Sequence, residues 1–147
     1  MGHGQNNYTF DKATMLKDAG LVAADAAATV ASVAKIWNCG NGRIDARVIV
    51  DATAVEVDTG NESYEIIVQG SKSASFASGV VNLASRTIGD SSVLGGGQSA
   101  DSPVGRYEIP FTNEVQDTRY EYIRLYTNVT GTLAAGINYT AYVVPNP

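Results

Sequence analysis

From Arg43 to Asp51 the chain alternates between polar and apolar residues with a period of two, and that period recurs through most of the remaining sequence. Ile44, Ala46, Val48 and Val50 alternate with Arg43, Asp45, Arg47 and Asp51, and only Ile49 breaks the polar set. Successive side chains of a strand point to opposite faces, so this pattern specifies strands with one face buried. Val55 and Val57 alternate with Glu56 and Asp58 up to a turn at Thr59-Gly60-Asn61. Tyr64, Ile66 and Val68 alternate with Glu65 and Gln69 before Gly70-Ser71-Lys72-Ser73, and a weaker strand is expected over Val80 to Ile88. The stretch from Gly89 to Gly105 contains Gly95-Gly96-Gly97, several serines and Pro103, and reads as the longest loop. Tyr107, Ile109 and Phe111 then alternate with Arg106, Glu108 and Pro110. A proline cannot donate to a ladder, so Pro110 places that strand at an edge or beside a bulge.

The C-terminal segment carries the clearest pattern. Ile123, Leu125 and Val129 lie on one face of a strand, and Tyr120, Tyr122, Arg124 and Tyr126 on the other. The connection Thr130 to Gly136 leads to a return strand, Ile137 to Val144, ended by Pro145, and the pair reads as a hairpin. Seven or eight strands succeed one another too closely for helices between them. The expected fold is all-β, an antiparallel β-sandwich, with a jelly roll as the leading topology. No internal repeat points to a solenoid or propeller.

The N-terminal part is different. Residues 1–11 are polar apart from Tyr8 and Phe10 and read as an arm ahead of a single sandwich domain over 12–147. From Lys12 to Ala34 the chain is alanine-rich; alanine favours helix, and Met15, Ala19, Val22 and Ala26 fit a helical stripe. Thr29 to Trp37 is richer in small and β-branched residues and runs into a glycine turn. The expectation is at most one short helix near residues 12–27, with a strand after it.

Charge narrows the function classes. Ten basic and fifteen acidic residues give a net charge of −5, which lacks the basic footprint of a dedicated nucleic-acid binder. Charged residues make up 17 % of the chain against about 25 % in a typical domain, which leaves a neutral, polar surface suited to protein contacts. Leu21 to Ala34 is the most apolar window, but Asp25 and Ser32 interrupt it and it is too short to span a bilayer. No basic region followed by an apolar stretch opens the chain, so the expectation is a protein made in a reducing cytoplasm, with no membrane partner.

Enzymatic constellations occur only in fragments. Ser32-Val33-Ala34-Lys35 matches S-x-x-K without its companion elements. The Gly95 to Gly97 run lacks the lysine of a phosphate loop. His3 and Cys39 are the only residues of their types, so neither a zinc site nor a base-assisted nucleophile can be assembled. Asp45, Asp51, Glu56 and Asp58 could hold calcium, but they lack the spacing of a calcium loop and read as a solvated sheet face. The expectation is a protein that is not an enzyme, with no cofactor and no metal. The unusual feature is the Tyr120, Tyr122, Arg124, Tyr126 row, since tyrosine and arginine are enriched at protein interfaces. A row packed on the other sheet or on a loop would explain the same residues. A fully buried Arg124 would need a partner.

Gly105-Arg106-Tyr107-Glu108-Ile109-Pro110-Phe111-Thr112-Asn113-Glu114, then Arg119-Tyr120-Glu121-Tyr122-Ile123-Arg124-Leu125-Tyr126, Val129-Thr130-Gly131-Thr132, Ala135-Gly136-Ile137 and Thr140-Ala141 form a connected pattern. Over roughly residues 60–144 it resembles a family of small capsid cement (decoration) proteins of tailed bacteriophages. The resemblance implies a jelly-roll subunit that forms homotrimers on the outside of the phage head and stabilises the shell. The implied partners are the major capsid protein of the parent phage and other copies of the chain, and the implied location is the outer surface of the virion capsid. Candidate interface residues are Tyr8, Phe10, Tyr120, Tyr122, Arg124 and Tyr126, with the two aromatics of the arm seated in shallow pockets of the shell. The alternative from another class is a carbohydrate-binding or adhesive sandwich module.

Overall fold

The computed structural model describes residues 14–96 and 99–145. In chain order its strands are β1 (Met15–Lys17), β2 (Leu21–Val22), β3 (Ala26–Ala27), β4 (Thr29–Val30), β5 (Val33–Ala34), β6 (Trp37–Asn38) and β7 (Asp45–Val55). Next come β8 (Ser63–Ser71), β9 (Val81–Gly89), a single helical turn α1 (Ser91–Leu94), β10 (Gly105–Thr112), β11 (Glu114–Val115), β12 (Thr118–Arg119), β13 (Tyr122–Thr130) and β14 (Ile137–Pro145). The first sheet runs β1-β14-β7-β10, with β2 also on β14; the second runs β3-β13-β8-β9, with β6 also on β13. Every pairing is antiparallel. The fold is an all-β sandwich.

The two-residue period sets which faces meet. Ala46, Val48, Val50 and Ala52 of β7, Ile109 and Phe111 of β10, and Ile137, Tyr139, Ala141 and Val143 of β14 form the inner face of the first sheet. Tyr64, Ile66 and Val68 of β8, Ile88 of β9, and Ile123 and Leu125 of β13 meet them from the second. A polar contact crosses this core between Thr127 Oγ1 and the Tyr139 hydroxyl at 2.6 Å. Burial pushes the Tyr139 pKa up to about 12, which Thr127 only partly opposes, so it stays a neutral donor or acceptor. Ile49, the break in the alternation, lies on the outer face of the first sheet. There it joins Tyr142 and Val144 in a small second apolar cluster.

Pro110 lies in β10, the edge strand of the first sheet, as its missing N–H requires. One expectation of topology fails. Strands β13 and β14 do not form a hairpin: β13 pairs with β8 in one sheet and β14 with β7 in the other. A strand that crosses between sheets buries alternate residues just as a hairpin partner does, so periodicity cannot separate the two. The crossing segment returns through Gly136 at φ 104°, where a Cβ would stand 2.1 Å from the Val22 carbonyl oxygen. Only glycine permits that approach.

Among the described residues the N-terminal segment forms no α-helix, within the expectation of at most one short one. Residues 15–38 form only two- and three-residue strands, β1 and β2 on β14, β3 and β6 on β13, and β4 with β5 in a two-stranded sheet of their own, and the α-helix of the described residues is α1, in the long loop. Tertiary hydrogen bonds override alanine's propensity here. The buried Lys17 ammonium donates to the carbonyls of Asp18, Gly20 and Tyr139 at 2.9–3.0 Å. Asp18 accepts from the Ala31 amide at 2.7 Å, and the Ala28 amide donates to the Leu125 carbonyl at 3.0 Å. Small side chains let this backbone lie close to the sheet edges, where a helix would leave those edges uncovered.

Candidate functional site

The outer face of the second sheet gathers the unusual residues. Strand β13 presents Tyr122, Arg124, Tyr126 and Asn128 on this face because Ile123, Leu125 and Thr127 point into the core. Directly opposite on β8 lie Ser71, Gln69, Ile67 and Glu65. The register pairs Arg124 with Gln69, and Arg124 Nε donates to Gln69 Oε1 at 2.9 Å. Gln69 Nε2 in turn donates to Asn82 Oδ1 on β9 at 3.1 Å, which fixes the amide with its oxygen toward the arginine. The result is a polar ladder across three strands.

Aromatic rings frame the same guanidinium. Arg124 Cζ lies 4.5 Å from the centre of the Phe76 ring and 5.6 Å from that of Tyr126, both within cation–π range. Phe76 comes from the segment between β8 and β9 and is buried, with a positive φ of 56°. A bulky side chain in the left-handed region costs on the order of 1–3 kcal/mol and persists only where its surroundings impose it. The imposing contacts are visible: Ser71 Oγ accepts from the Ser73 amide at 3.0 Å and donates to the Ser78 carbonyl at 2.9 Å, and the Phe76 amide donates to the Ser73 carbonyl at 3.1 Å. These bonds fold the segment back so that its one aromatic reaches the arginine. Burial lowers the Arg124 pKa, a shift that Tyr126 opposes, and the group remains a cation at any ordinary pH.

The predicted row is therefore three residues rather than four. Tyr122, Arg124 and Tyr126 share the outer face, half-buried. Tyr120 precedes the strand, and its backbone is held by Asn113, whose carbonyl accepts from the Tyr120 amide at 2.9 Å and whose side-chain amide donates to the Tyr120 carbonyl at 3.2 Å. Its Cβ lies 3.0 Å from where a Gly70 side chain would begin, beside Leu83, so it packs at the end of the sandwich. Tyr8 and Phe10 lie outside the described residues. Sequence reasoning missed Gln69, Asn82 and Phe76. Phe76 had a signal of its own, a lone aromatic inside Ser73-Ala74-Ser75-Phe76-Ala77-Ser78.

The four carboxylates considered for calcium have separate attachments. Asp45 lies 3.4 Å from Arg43, Asp51 lies 2.8 Å from Arg106, and Glu56 accepts from the amides of Ala134, Ala135 and Gly136. Asp58 is exposed in the turn after β7. A groove of about 450 Å³ runs along residues 17–29, but the Lys17 ammonium beside it already has three carbonyl acceptors. Cys39 is half-buried, and burial raises its thiol pKa. The described residues thus define a β-sandwich with an aromatic-framed arginine on one outer face. No model of a known protein family matches the chain, and no curated protein or solved structure matches it either.

Proposed function

We propose that this chain is a capsid cement protein of a tailed bacteriophage: it binds the outside of the head as a homotrimer and stabilises the shell. Strand order is the observation that carries the reading. If β1 with β2 and β3 with β6 are each taken as one position and the separate β4–β5 and β11–β12 pairs are set aside, strands numbered in chain order lie side by side as 1-8-3-6 in one sheet and 2-7-4-5 in the other. That order agrees with a jelly roll, the subunit fold that the sequence resemblance implies. The half-buried Tyr122, Arg124, Tyr126 face supports the same reading, because it offers an arginine and aromatic anchors of the kind that dominate interface energetics. A trimer that touches several shell subunits at once gains affinity through effective concentration, and the bound state stabilises the shell by linkage.

The test is direct. Heads of the parent phage prepared with and without the protein are heated while DNA release is followed, and decorated heads are imaged. The reading requires density for this protein at three-fold positions and a higher release temperature for decorated heads. Equal release temperatures and no added density would refute it. The amide pair Gln69–Asn82 beside Tyr126 favours a second reading, a carbohydrate-binding face, which glycan binding by the isolated protein without any binding to heads would put first.

A further inference from the structure

We propose that the free end of the Arg124 guanidinium is a docking point for a carboxylate, an aspartate or glutamate side chain on the shell subunit that the protein binds. The proposal rests on the cement reading for the identity of the partner, and on the second sheet alone for the chemistry.

The arginines of this chain divide into two groups. Arg43, Arg47, Arg106 and Arg119 each have a carboxylate oxygen within 3.5 Å, whereas among the described residues Arg86 and Arg124 do not, and Arg86 lies 4.9 Å from the centre of the Tyr107 ring. Arg124 has none within ion-pair distance among the described residues, although the chain carries five more acidic than basic residues. The one acidic strand residue on its face, Glu65, sits opposite Asn128, which is four residues along β13, or roughly 13 Å at the rise of a strand. Glu65 has its own contact there, accepting from Asn128 Nδ2 at 3.4 Å.

A guanidinium has five N–H donors, and Gln69 takes only the one on Nε. The four on the two Nη atoms have no partner among the described residues, and Arg124 is only half-buried, so part of its side chain is open to solvent. Two parallel N–H groups on a planar fork match the two oxygens of a carboxylate, and the ion pair that forms is bidentate. The side chain is also held before any ligand arrives. Gln69 fixes Nε, Asn82 fixes Gln69, and Phe76 and Tyr126 frame the guanidinium. Less rotamer entropy then remains to be lost on binding, and the rings exclude water that would weaken the pair. Charge complementarity selects the occupant: a neutral hydroxyl leaves the cation uncompensated, and a carboxylate does not.

Two measurements on the intact protein test this. Binding to bare heads is compared for wild type, Arg124→Lys and Arg124→Gln, with melting temperatures taken alongside. Arg124→Gln is expected to bind about thirtyfold more weakly or worse, the usual result of removing one partner of a desolvated charge pair. Arg124→Lys keeps the stem and the charge but not the fork, and is expected to fall between the two. If wild type binds heads and both variants bind equally well, the Arg124 proposal is overturned while the cement reading stands. If wild type binds no heads, the cement reading falls and with it the shell as occupant. The chemistry is read separately by adding sodium glutarate to nitrogen-15-labelled protein and following the Arg124 Nε–H resonance. A saturable shift that glutaramide does not reproduce supports carboxylate recognition. No shift, or the same shift with glutaramide, overturns it whatever the heads do.

Discussion

On the outer face of the first sheet, Arg47 meets Glu108 at 3.5 Å and Arg106 meets Asp51 at 2.8 Å; on the outer face of the second, Arg124 meets an amide and two rings. The first arrangement neutralises each cation within the chain. The second leaves a cation oriented but uncompensated. Paired exposed charges contribute little to stability, whereas an oriented charge without a counter-ion keeps its capacity for an ion pair unspent within the subunit. The contrast separates a face whose charges are paired within the chain from a face that holds one oriented cation without a counter-ion, on two sheets that share one core.

The largest expected effect comes from attacking that shared core. Leu125 is fully buried directly beneath the Arg124 row. Leu125→Ala should cost about 2–5 kcal/mol, the usual range for a truncated core leucine. For a chain of this size that corresponds to a melting temperature lower by roughly 5–15 °C. Thermal unfolding by circular dichroism checks it. A loss under about 1 kcal/mol would mean that the second sheet is not held by the common core, and the comparison would lose its premise.

The two outer faces differ in how far the sequence announced them. The two-residue period alone places the β13 residues on their correct faces, since Ile123 and Leu125 are buried and Tyr122, Arg124 and Tyr126 are not. The edge position of Pro110 follows from its missing donor. What the period could not supply was which strands pair, because a crossover from β13 to β14 and a hairpin give one pattern. It could not supply the edge either: residues 15–38 are held by bonds such as Lys17 Nζ to the Tyr139 carbonyl, between positions far apart in the chain. The Phe76 contact with Arg124 is hidden for the same reason, as it depends on how Ser71 folds a loop. Local pattern fixes faces; long-range contacts fix neighbours.

Carboxylates at one end of the sandwich show a third arrangement and allow a pH test. The amides of Ala134, Ala135 and Gly136 donate to Glu56 and lower its pKa. For Glu62, burial pushes the pKa up, but donation from the Thr59, Gly60 and Asn61 amides outweighs it, and the net shift is downward. Both folded pKa values are depressed, so the stability they provide is complete above the unfolded carboxylate pKa of about 4.3. It is lost as pH falls through the lower folded values. Melting temperature should therefore be level near neutrality and decline below about pH 4. A Glu56→Gln, Glu62→Gln double variant should start lower at pH 7 and lose less on acidification. Parallel curves for the two proteins would show that these amide-bound carboxylates do not govern acid sensitivity.

The smallest effect is the sharpest test of the contrast between the two outer faces, and it needs two double-mutant cycles. The Asp51–Arg106 pair is well formed, with Nε–Oδ1 at 2.8 Å and Nη2–Oδ2 at 3.3 Å, but its side chains are 34 % and 50 % exposed. Solvent and salt screen such a pair, so its coupling energy should be about 0.2–1 kcal/mol and should vanish in 1 M salt, where the Debye length is about 3 Å. The Gln69–Arg124 bond joins a neutral amide to a cation, half-screened by Phe76 and Tyr126. Its coupling should be about 1 kcal/mol, and high salt should leave it nearly unchanged, because a single charge and a dipole at 2.9 Å leave no long-range field for ions to screen. Urea unfolding of wild type, the four single variants and the two double variants, at low and high salt, supplies both cycles. If the two couplings fall together in salt, Arg124 is held as an ordinary surface charge. If only the Asp51–Arg106 coupling falls, the second sheet holds its arginine by packing and orientation, in place before any partner supplies the missing charge.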